Sequence, residues 1–385
     1  MSKISRKAYQ QIVDCDGVVI SGHNRSYLYD IAFEKDMSNK NVLDIGSSQG
    51  SFCLEAMKRG ACKVVGIEPL VENIKTAKEA ALKIGLEPEY IQTDFENYQT
   101  NEQFDTILCL NVLHHMYDPI HVLRKMVSMA RNKIIIEFAT PRLIDVWNKR
   151  ISIISFLAKK QPLLVMGKPR HPKDSVKIAE YTFMFTSSAL KTFFNTHYSC
   201  FGPVVFKKSP FKGRMIAIIQ RRKINTITVI AGPTSSGKTT LIEKIEKSSE
   251  LRKKLNIPNK IDAFASYKLY EKPIEQKLDH VIMHYDILRP FRRAIRTHYR
   301  DPVLSILSSA NKVNVLTLKI PSRNLIQQIT KGEPESSARH QEIKKLYSDP
   351  EFLNRWYRDW YNFVSTLPNA NFVFIDDKGN QILDD

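Results

Sequence analysis

The chain has 385 residues, of which 43% are hydrophobic and 10% aromatic, so it is long and apolar enough for two folded domains. Its net charge is +18, and the excess lies in the middle, since residues 141–223 hold 17 Lys and Arg against 3 Asp and Glu. Uncompensated charges repel one another, so this segment favours an anionic partner.

Several classes are excluded by what the sequence lacks. No apolar run approaches the ~18 residues of a membrane span, and the first ten residues are too polar for a secretory signal. The five cysteines are scattered without CxxC pairs or paired histidines, which argues against a disulfide framework or a zinc site. We therefore predict a cytoplasmic protein without a transmembrane segment.

Residues 1–40 are predicted to form a helical lead-in, and regular alternation of strands and helices follows. The pattern predicts strands at 41–46, 63–68, 90–92, 104–110, 133–138, 203–206 and 215–220, with helices at 50–59, 71–84 and 118–130. Such alternation is typical of an α/β fold with a parallel sheet covered on both faces, in which ligands bind at the carboxyl ends of the strands.

Polar and small residues stand where these strands end. The first strand leads into a glycine turn, where small residues let the backbone approach a ligand and the next helix offers N–H groups. The candidate ligand-binding residues at these ends are Asp44, Gly46, Ser47, Gly50, Glu68, Asp94 and Asn111.

This arrangement over residues 38–220 resembles the class I S-adenosylmethionine-dependent methyltransferases, whose DxGxxxG motif matches Asp44, Gly46 and Gly50. The resemblance implies a Rossmann-like, seven-stranded methyltransferase sheet that binds S-adenosylmethionine. By the same resemblance, Asp44 and the turn hold the methionine part and Glu68 the ribose, while Asp94 holds the adenine amine and Asn111 lies near the sulfonium.

The segment after the fourth strand bears on the methyl acceptor. His114 and His115 are candidate catalytic bases, although adjacent histidines are often one packed and one exposed. The family's amino-group methylases typically carry Asn/Asp-Pro-Pro-aromatic here, whereas this chain has Asn111-Val112-Leu113-His114. The difference favours an oxygen or carbon acceptor.

Residues 141–190 interrupt the expected run to the last two strands and are predicted to cap the acceptor site. Basic residues flank an apolar core in this insertion. Its apolar face either packs on the domain or, over residues 141–173, contacts an anionic membrane surface or a lipid-linked substrate.

A second nucleotide motif opens the second half. After a strand at 226–230 comes the full GxxxxGK[ST] P-loop, from Gly232 to Thr240, followed by a helix. The loop would bind ATP or another nucleoside triphosphate through Gly232, Ser235, Ser236, Gly237, Lys238, Thr239 and Thr240, with Lys238 reaching the phosphates and Thr239 ligating Mg²⁺. It resembles the loop of tRNA dimethylallyltransferases at loop level only.

The acid that completes this site is predicted to be Asp286, at the end of a strand over 280–286. Its carboxylate could hold Mg²⁺ or act as the base, with Asp262 as the second candidate. A helix that starts at Pro290 is predicted to present arginines on one face to a phosphate or sulfate, although a solvated face is the alternative. These arginines are Arg289, Arg292, Arg293, Arg296 and Arg300.

Two further patterns lie near the end of the chain. The basic stretch 331–345 is predicted to be a lid that brings Arg339 over the phosphates. Phe352, Trp356, Trp360 and Val364 repeat every four residues, which indicates a core-facing stripe, or otherwise a platform for stacking a base or sugar.

Taken together, the motifs predict a bifunctional transferase. Residues 1–223 form a methyltransferase domain with the cap at 141–190, and residues 224–385 form a P-loop, three-layer α/β kinase-like domain. The expected acceptor is a small or lipid-linked, sugar-like anionic molecule. The alternatives are an RNA-modifying or RNA-end-processing enzyme, and a methyltransferase regulated by a nucleotide-sensing P-loop domain.

Overall fold

The computed structural model describes residues 10–14, 17–20, 22–168, 182–265, 277–293, 297–332 and 338–382. The chain divides into two compact units. The first unit is Met1–Phe193 with Val204–Arg221, and the second unit is Phe194–Pro203 with Arg222–Asp385. The main division falls between Arg221 and Arg222, and one excursion of the chain, Phe194–Pro203, belongs to the second unit.

The described residues of the first unit form eleven strands and seven α-helices. They are β1 Ile12–Asp14, β2 Gly17–Ile20, α1 Tyr29–Ala32, β3 Asn41–Ile45, α2 Ser51–Lys58, β4 Lys63–Glu68, α3 Val71–Ile84, β5 Glu89–Gln92, β6 Phe104–Leu110, α4 Pro119–Met129, β7 Ala130–Ala139, α5 Leu143–Trp147, α6 Ile153–Leu157, β8 Leu164–Gly167, β9 Thr182–Phe185, α7 Ser187–Thr192, β10 Val205–Lys208 and β11 Arg214–Gln220.

The start of the first unit differs from the prediction, because β1 and β2 form an antiparallel hairpin instead of a helical lead-in. Gly17 has a φ of +119°, which favours glycine and suits a reversal of the chain. Ile12 and Ile20 are both buried in the core of the unit. β-Branched residues on both sides of a glycine favour the hairpin over a helix.

Seven strands form a mixed sheet in the order β10-β11-β7-β6-β3-β4-β5. The five strands from β7 to β5 run parallel, while β11 is antiparallel to both β7 and β10. The predicted α/β fold is therefore confirmed for this unit. The strand order reverses at β3, so the ends of β3 and β6 flank the crevice where such sheets bind ligands.

The insertion after β7 contains α5, α6 and the antiparallel hairpin of β8 and β9. Ile151, Val165 and Met184 form a small core of its own, with Val146 and Phe156 packed against it. Across the described part of the chain, no helix is long and apolar enough to cross a membrane.

In the second unit, the residues that the structure describes form six strands and six α-helices. They are β12 Lys223–Gly232, α8 Lys238–Lys247, α9 Ser249–Lys254, β13 Ala263–Ala265, β14 Lys277–Asp286, α10 Arg289–Arg292, β15 Ala310–Leu318, α11 Ser322–Gly332, α12 Ala338–Tyr347, α13 Pro350–Ser365, β16 Ala370–Ile375 and β17 Gln381–Ile382. The sheet order is β13-β14-β12-β15-β16-β17, and all strands are parallel except β17.

The stripe on α13 is core packing, as the four-residue repeat indicates. Trp360 is fully buried, and its indole Nε1 donates to Thr317 Oγ1 on β15 at 2.9 Å. Trp356 and Val364 are also buried in the core of the second unit. These rings are covered by the protein, so they do not form an open stacking platform.

Replacing Trp360 tests this packing. Trp360→Ala should lower the stability of the second unit by about 3–5 kcal/mol, since it leaves a large cavity and an unsatisfied Thr317 hydroxyl. Tyr361→Ala is the matched control, because Tyr361 is the next residue of α13 and is 49% exposed. Equal falls in the thermal unfolding midpoint of the two variants would contradict this account.

Candidate functional site

The glycine turn of the first unit joins β3 to α2 through backbone that only small residues can adopt. Gly46 and Gly50 have φ values of +69° and +81°. A Cβ atom on Gly46 would lie 2.5 Å from Val112 Cγ2, and one on Gly50 would lie 2.1 Å from the Tyr90 hydroxyl. Glycine is therefore required at both positions, because the backbone is left-handed there and a Cβ atom would collide with Val112 or Tyr90.

Glu68 at the end of β4 holds this turn. Its Oε2 accepts from the Ser48 amide at 2.9 Å. Its Oε1 accepts from the Leu70 amide and from Asn73 Nδ2, both at 3.1 Å. Since a carboxylate offers about four acceptor positions, these three bonds leave one position, on Oε2.

Asp44 lies beneath the turn and is almost fully buried. The Cys53 thiol donates to its Oδ2 at 3.7 Å. Burial raises the pKa of the Asp44 carboxyl to about 7, because the charged form loses its hydration. A cationic ligand group placed here would favour the ionised carboxylate.

The other predicted residues lie at the same edge of the sheet. Asp94 follows β5 and accepts from the amide and the side chain of Asn97, at 2.9 and 2.8 Å. Asn111 follows β6 with a φ of +66°. The rings of His114 and His115 are 3.9 Å apart between centroids, with His115 the more exposed of the two.

Two groups near this edge were missed by the sequence reasoning. One is Glu137, which is fully buried near the end of β7 in an ion pair with Arg25. Its Oε1 accepts from Ser209 Oγ at 2.6 Å and from the Tyr27 hydroxyl at 3.2 Å. The signal was a single acidic residue within an otherwise apolar run of β7.

The other missed group is Gln10, which precedes the hairpin and is 3% exposed. Its Oε1 accepts from the Ser51 amide at the start of α2, at 3.1 Å. Its own amide donates to Gln49 Oε1 at 3.2 Å. No motif marks this residue, because its role depends on a contact between segments 41 residues apart.

The close approach at Gly50 can be tested against a glycine without neighbours. Gly85, at the end of α3, has a φ of +73° and nothing within 4 Å of its Cβ position. Gly85→Ala should therefore cost only the left-handed backbone penalty of about 1–2 kcal/mol. Gly50→Ala adds a clash with the Tyr90 phenol, so its thermal unfolding midpoint should fall further.

A second variant separates the clash from the backbone cost. Adding Tyr90→Phe to Gly50→Ala removes the hydroxyl that lies nearest to the new Cβ atom. The double variant should recover part of the lost stability. If Gly50→Ala and Gly85→Ala lower the midpoint equally, the backbone does not approach Tyr90 as described.

The P-loop of the second unit joins β12 to α8. Ser235 and Gly237 have φ values of +62° and +84°. The Lys238 ammonium donates to the Pro233 carbonyl at 2.6 Å and lies 3.3 Å from Ser236 Oγ. Burial lowers the pKa of Lys238 to about 8, an effect that the charge of Asp286 partly offsets.

Two threonines of the motif stand at the open side of the loop. Thr239 and Thr240 lie in the first turn of α8, and both are exposed. Within the described residues, no group of three or more His, Cys, Asp or Glu side chains could hold a metal ion.

Asp286 ends β14 directly beside Gly232 of the neighbouring strand. Its Oδ2 accepts from Thr234 Oγ1 at 2.8 Å and from Arg292 Nη2 at 2.5 Å. Asp262 is not part of this site, because its carboxylate accepts from the amides of Asp279 and His280, towards the opposite end of β14.

The predicted arginine helix is wrong in its extent. The α10 helix ends at Arg292, and Arg300 belongs to a separate 3₁₀ turn, His298–Arg300. Arg289 Nε lies 2.8 Å from Asp301, a fully buried carboxylate that also accepts from the Tyr285 hydroxyl at 3.0 Å. Arg289 and Arg292 therefore each have an acidic partner within the protein. The described residues do not form one continuous arginine face.

Two other predicted arginines cannot be placed at the site. Arg296 and the side chain of Arg339 lie outside the described residues. Arg293 is exposed and lines the cavity beside the P-loop.

That cavity has a volume of about 1240 Å³ and lies over the P-loop and the end of β14. Its charged lining is mainly basic: Lys238, Lys244, Arg289, Arg292 and Arg293, against Asp286, Glu342 and Asp377. His284 also lines it, and burial together with the charge of Lys238 lowers the pKa of this histidine to about 4. The cavity therefore suits an anionic ligand, and its histidine is neutral near pH 7.

Comparison with known proteins finds a family match within the first unit. The family model described as "Methyltransferase domain" matches residues 36–180, which include the glycine turn, Glu68, Asp94 and Asn111. Residues 36–180 therefore match a methyltransferase domain. The matched range does not extend into the second unit.

Among curated proteins, the chain is similar to ubiquinone biosynthesis O-methyltransferases. The one from Actinobacillus pleuropneumoniae serotype 5b is 32% identical over 107 residues, covering 26% of this chain and 45% of that protein. The one from Aliivibrio fischeri strain MJ11 is 26% identical over 155 residues, covering 40% and 64%. The chain thus spans about half the length of the curated relatives it matches.

Among solved structures, magnesium protoporphyrin IX methyltransferase from Synechocystis PCC 6803 with bound SAH is 18% identical, with a TM-score of 0.36 over 51% of this chain and 79% of that chain. An S-adenosylmethionine dependent methyltransferase from Mesorhizobium loti is 13% identical, with a TM-score of 0.37 over 51% and 96%.

Proposed function

We propose that the first unit transfers a methyl group from S-adenosylmethionine to an oxygen or carbon atom of an acceptor. The observation that carries the proposal is the methyltransferase-domain match over residues 36–180, which spans the whole carboxyl edge from Asp44 to Asn111. The turn also offers backbone N–H groups ahead of α2, and its glycines are held against Val112 and Tyr90, which leave no room for a Cβ atom at either position.

Different residues at this edge would bind different parts of the cofactor. The open acceptor position on Glu68 Oε2 suits a ribose hydroxyl, and Asp44 suits the ammonium of the methionine part. When bound, the cofactor supplies an electrophilic methyl group on a sulfonium. The protein's part is then mainly alignment of the acceptor for in-line displacement, with a base where the acceptor is a hydroxyl.

His114 or His115 is our proposed base. Both follow β6 beside Asn111, at the edge where the methyl group would stand. The curated relatives are named O-methyltransferases, which supports an oxygen acceptor here as well. Their alignments cover only part of each protein, so the acceptor itself is part of the proposal.

Calorimetry on the full chain tests the role of Glu68. Glu68→Ala should weaken S-adenosylmethionine binding by about 1–3 kcal/mol, through the lost ribose bond and the released Ser48 amide. Glu72→Ala is the matched control, because this exposed glutamate lies in the first turn of α3. Unchanged affinity in Glu68→Ala would remove this residue from the site.

For the second unit, we propose binding of a nucleoside triphosphate such as ATP and transfer of its terminal phosphoryl group. The proposal is supported by the P-loop motif standing between a parallel strand and a helix, next to an acid at the end of the adjacent strand. The basic cavity beside the loop has room for both a nucleotide and an anionic acceptor.

Mg²⁺, when bound, would neutralise charge on the phosphates, with Thr239 and Asp286 as the protein groups that would hold it. Thr239 is exposed on the first turn of α8, as this role requires. Asp286 is engaged by Arg292 and Thr234, so it would have to exchange these partners. That exchange would also free Arg292 to contact a phosphate.

The lowered pKa of Lys238 predicts the pH dependence of nucleotide binding. Only the ammonium form attracts phosphate, and burial favours the neutral amine above a pKa of about 8. ATP affinity should therefore be highest below this pH and fall about tenfold per pH unit above it, as linkage requires. Binding is measured with a fluorescent ATP analogue and Mg²⁺ between pH 7 and about pH 9.5.

Two variants test whether Lys238 causes this pH dependence. Lys238→Ala should weaken binding about 10- to 100-fold near pH 7 and remove the fall above pH 8. Lys247→Ala, which changes an exposed lysine of the same helix, should keep the profile of the unchanged protein. A fall that persists in Lys238→Ala would assign the titration to another group. Tight binding without label transfer from γ-labelled ATP would favour a nucleotide sensor.

A further inference from the structure

The insertion of the first unit exposes apolar side chains in an unusual cluster. Eighteen large hydrophobic side chains are exposed among the described residues, and six of them fall within residues 143–157. They lie on α5 and α6, two helices of five residues each. These six are Leu143, Ile144, Trp147, Ile153, Ile154 and Leu157. Isolated exposed hydrophobics are common, whereas a cluster of this kind marks an interaction surface.

The two helices are anchored, so the exposure does not result from loose packing. Val146 on α5 and Phe156 on α6 pack inward against the small core of the insertion. Asp145 is buried and forms ion pairs with both Arg142 and Arg150. Each helix therefore presents one set of apolar residues to the core and a second set outward.

The charge around this cluster has one sign. Residues 141–168 contain six Lys and Arg and one acidic residue, Asp145, whose charge is buried in ion pairs. Lys149, Lys159 and Lys160 are all exposed. This combination of apolar side chains and exposed lysines matches a lipid surface with anionic headgroups. The aliphatic and indole side chains would enter the boundary of the acyl chains, and the lysines would contact the phosphates.

A nucleic acid accounts for the lysines but not for the exposed isoleucines and leucines. Its binding rests on phosphate contacts and on stacking by aromatic rings. The only aromatic side chain among the six is Trp147, and the other five are aliphatic. The composition of the surface therefore favours a membrane over RNA.

We propose that the apolar–basic surface binds the anionic face of a lipid bilayer. This surface consists of the six apolar residues of α5 and α6 together with Lys149, Lys159 and Lys160. Its short helices lie at the interface rather than span it, in keeping with the lack of a membrane-crossing helix among the described residues. The proposal is independent of which group the protein transfers.

The test is flotation of the full chain with vesicles of phosphatidylcholine alone or mixed with phosphatidylglycerol. The protein should float with the mixed vesicles and bind neutral ones more weakly. Trp147 provides an internal probe, because it is 71% exposed while Trp356 and Trp360, the other two tryptophans, are buried. Its emission should shift to shorter wavelength on binding, and its quenching by acrylamide should decrease.

Two sets of variants separate the apolar and basic contributions. Trp147→Ser with Ile154→Ser and Leu157→Ser should lower vesicle binding at least about tenfold, since each loses apolar burial. Lys149→Glu with Lys159→Glu and Lys160→Glu should abolish only the preference for anionic vesicles. All six positions are exposed, so far-UV circular dichroism and S-adenosylmethionine affinity should stay unchanged.

Matched controls come from α3 of the same unit. Val71→Ser with Leu82→Ser removes two exposed apolar side chains, and Lys75→Glu with Lys78→Glu and Lys83→Glu reverses three exposed charges. These variants should bind vesicles as the unchanged protein does. Equal losses of vesicle binding in the control variants would overturn the proposal. An unchanged protein that floats with neither kind of vesicle would also overturn it. Retention by RNA instead of vesicles, unaffected by the serine variant, would likewise overturn it in favour of a nucleic-acid surface.

Discussion

In each unit, the arrangement of the site depends on a hydrogen bond from a glycine turn to the carboxylate that ends the neighbouring strand. In the first unit the Ser48 amide donates to Glu68 at 2.9 Å, and in the second the Thr234 hydroxyl donates to Asp286 at 2.8 Å. Parallel strands bring their carboxyl ends to one edge, so the acid of one strand can reach the turn that follows the next.

Burial at these sites also shifts the pKa values of their charged groups towards neutral pH. Asp44 and Lys238 lie beside the turns with little solvent around them, and burial moves the pKa of each towards 7 from opposite sides. A ligand that carries the complementary charge then shifts each group to its ionised form. If Asp44 and Lys238 bind their ligands as we propose, binding in both units is coupled to proton exchange.

The sequence was sufficient where periodicity and turn chemistry agree. The bounds of β4, α3 and β6 match the prediction to the residue, because each is a regular run ended by a glycine or a polar turn. It was insufficient where distant segments meet. No local sequence pattern connects Arg25 with Glu137, or Arg289 with Asp301, yet both pairs are in contact. The second pair gives Arg289 an acidic partner within the protein, where the sequence predicted a contact with phosphate or sulfate.

The insertion shows the same limit on a smaller scale. A run of apolar residues indicates that some surface is covered, but periodicity over five-residue helices cannot distinguish the protein's own core from an outside partner. The structure separates the two sets, with Val146 and Phe156 turned to the core and Trp147, Ile154 and Leu157 turned outward. Residues 141–168 also hold six Lys and Arg against the single buried acid Asp145, and this charge together with the outward set is the basis of the proposed contact with an anionic interface.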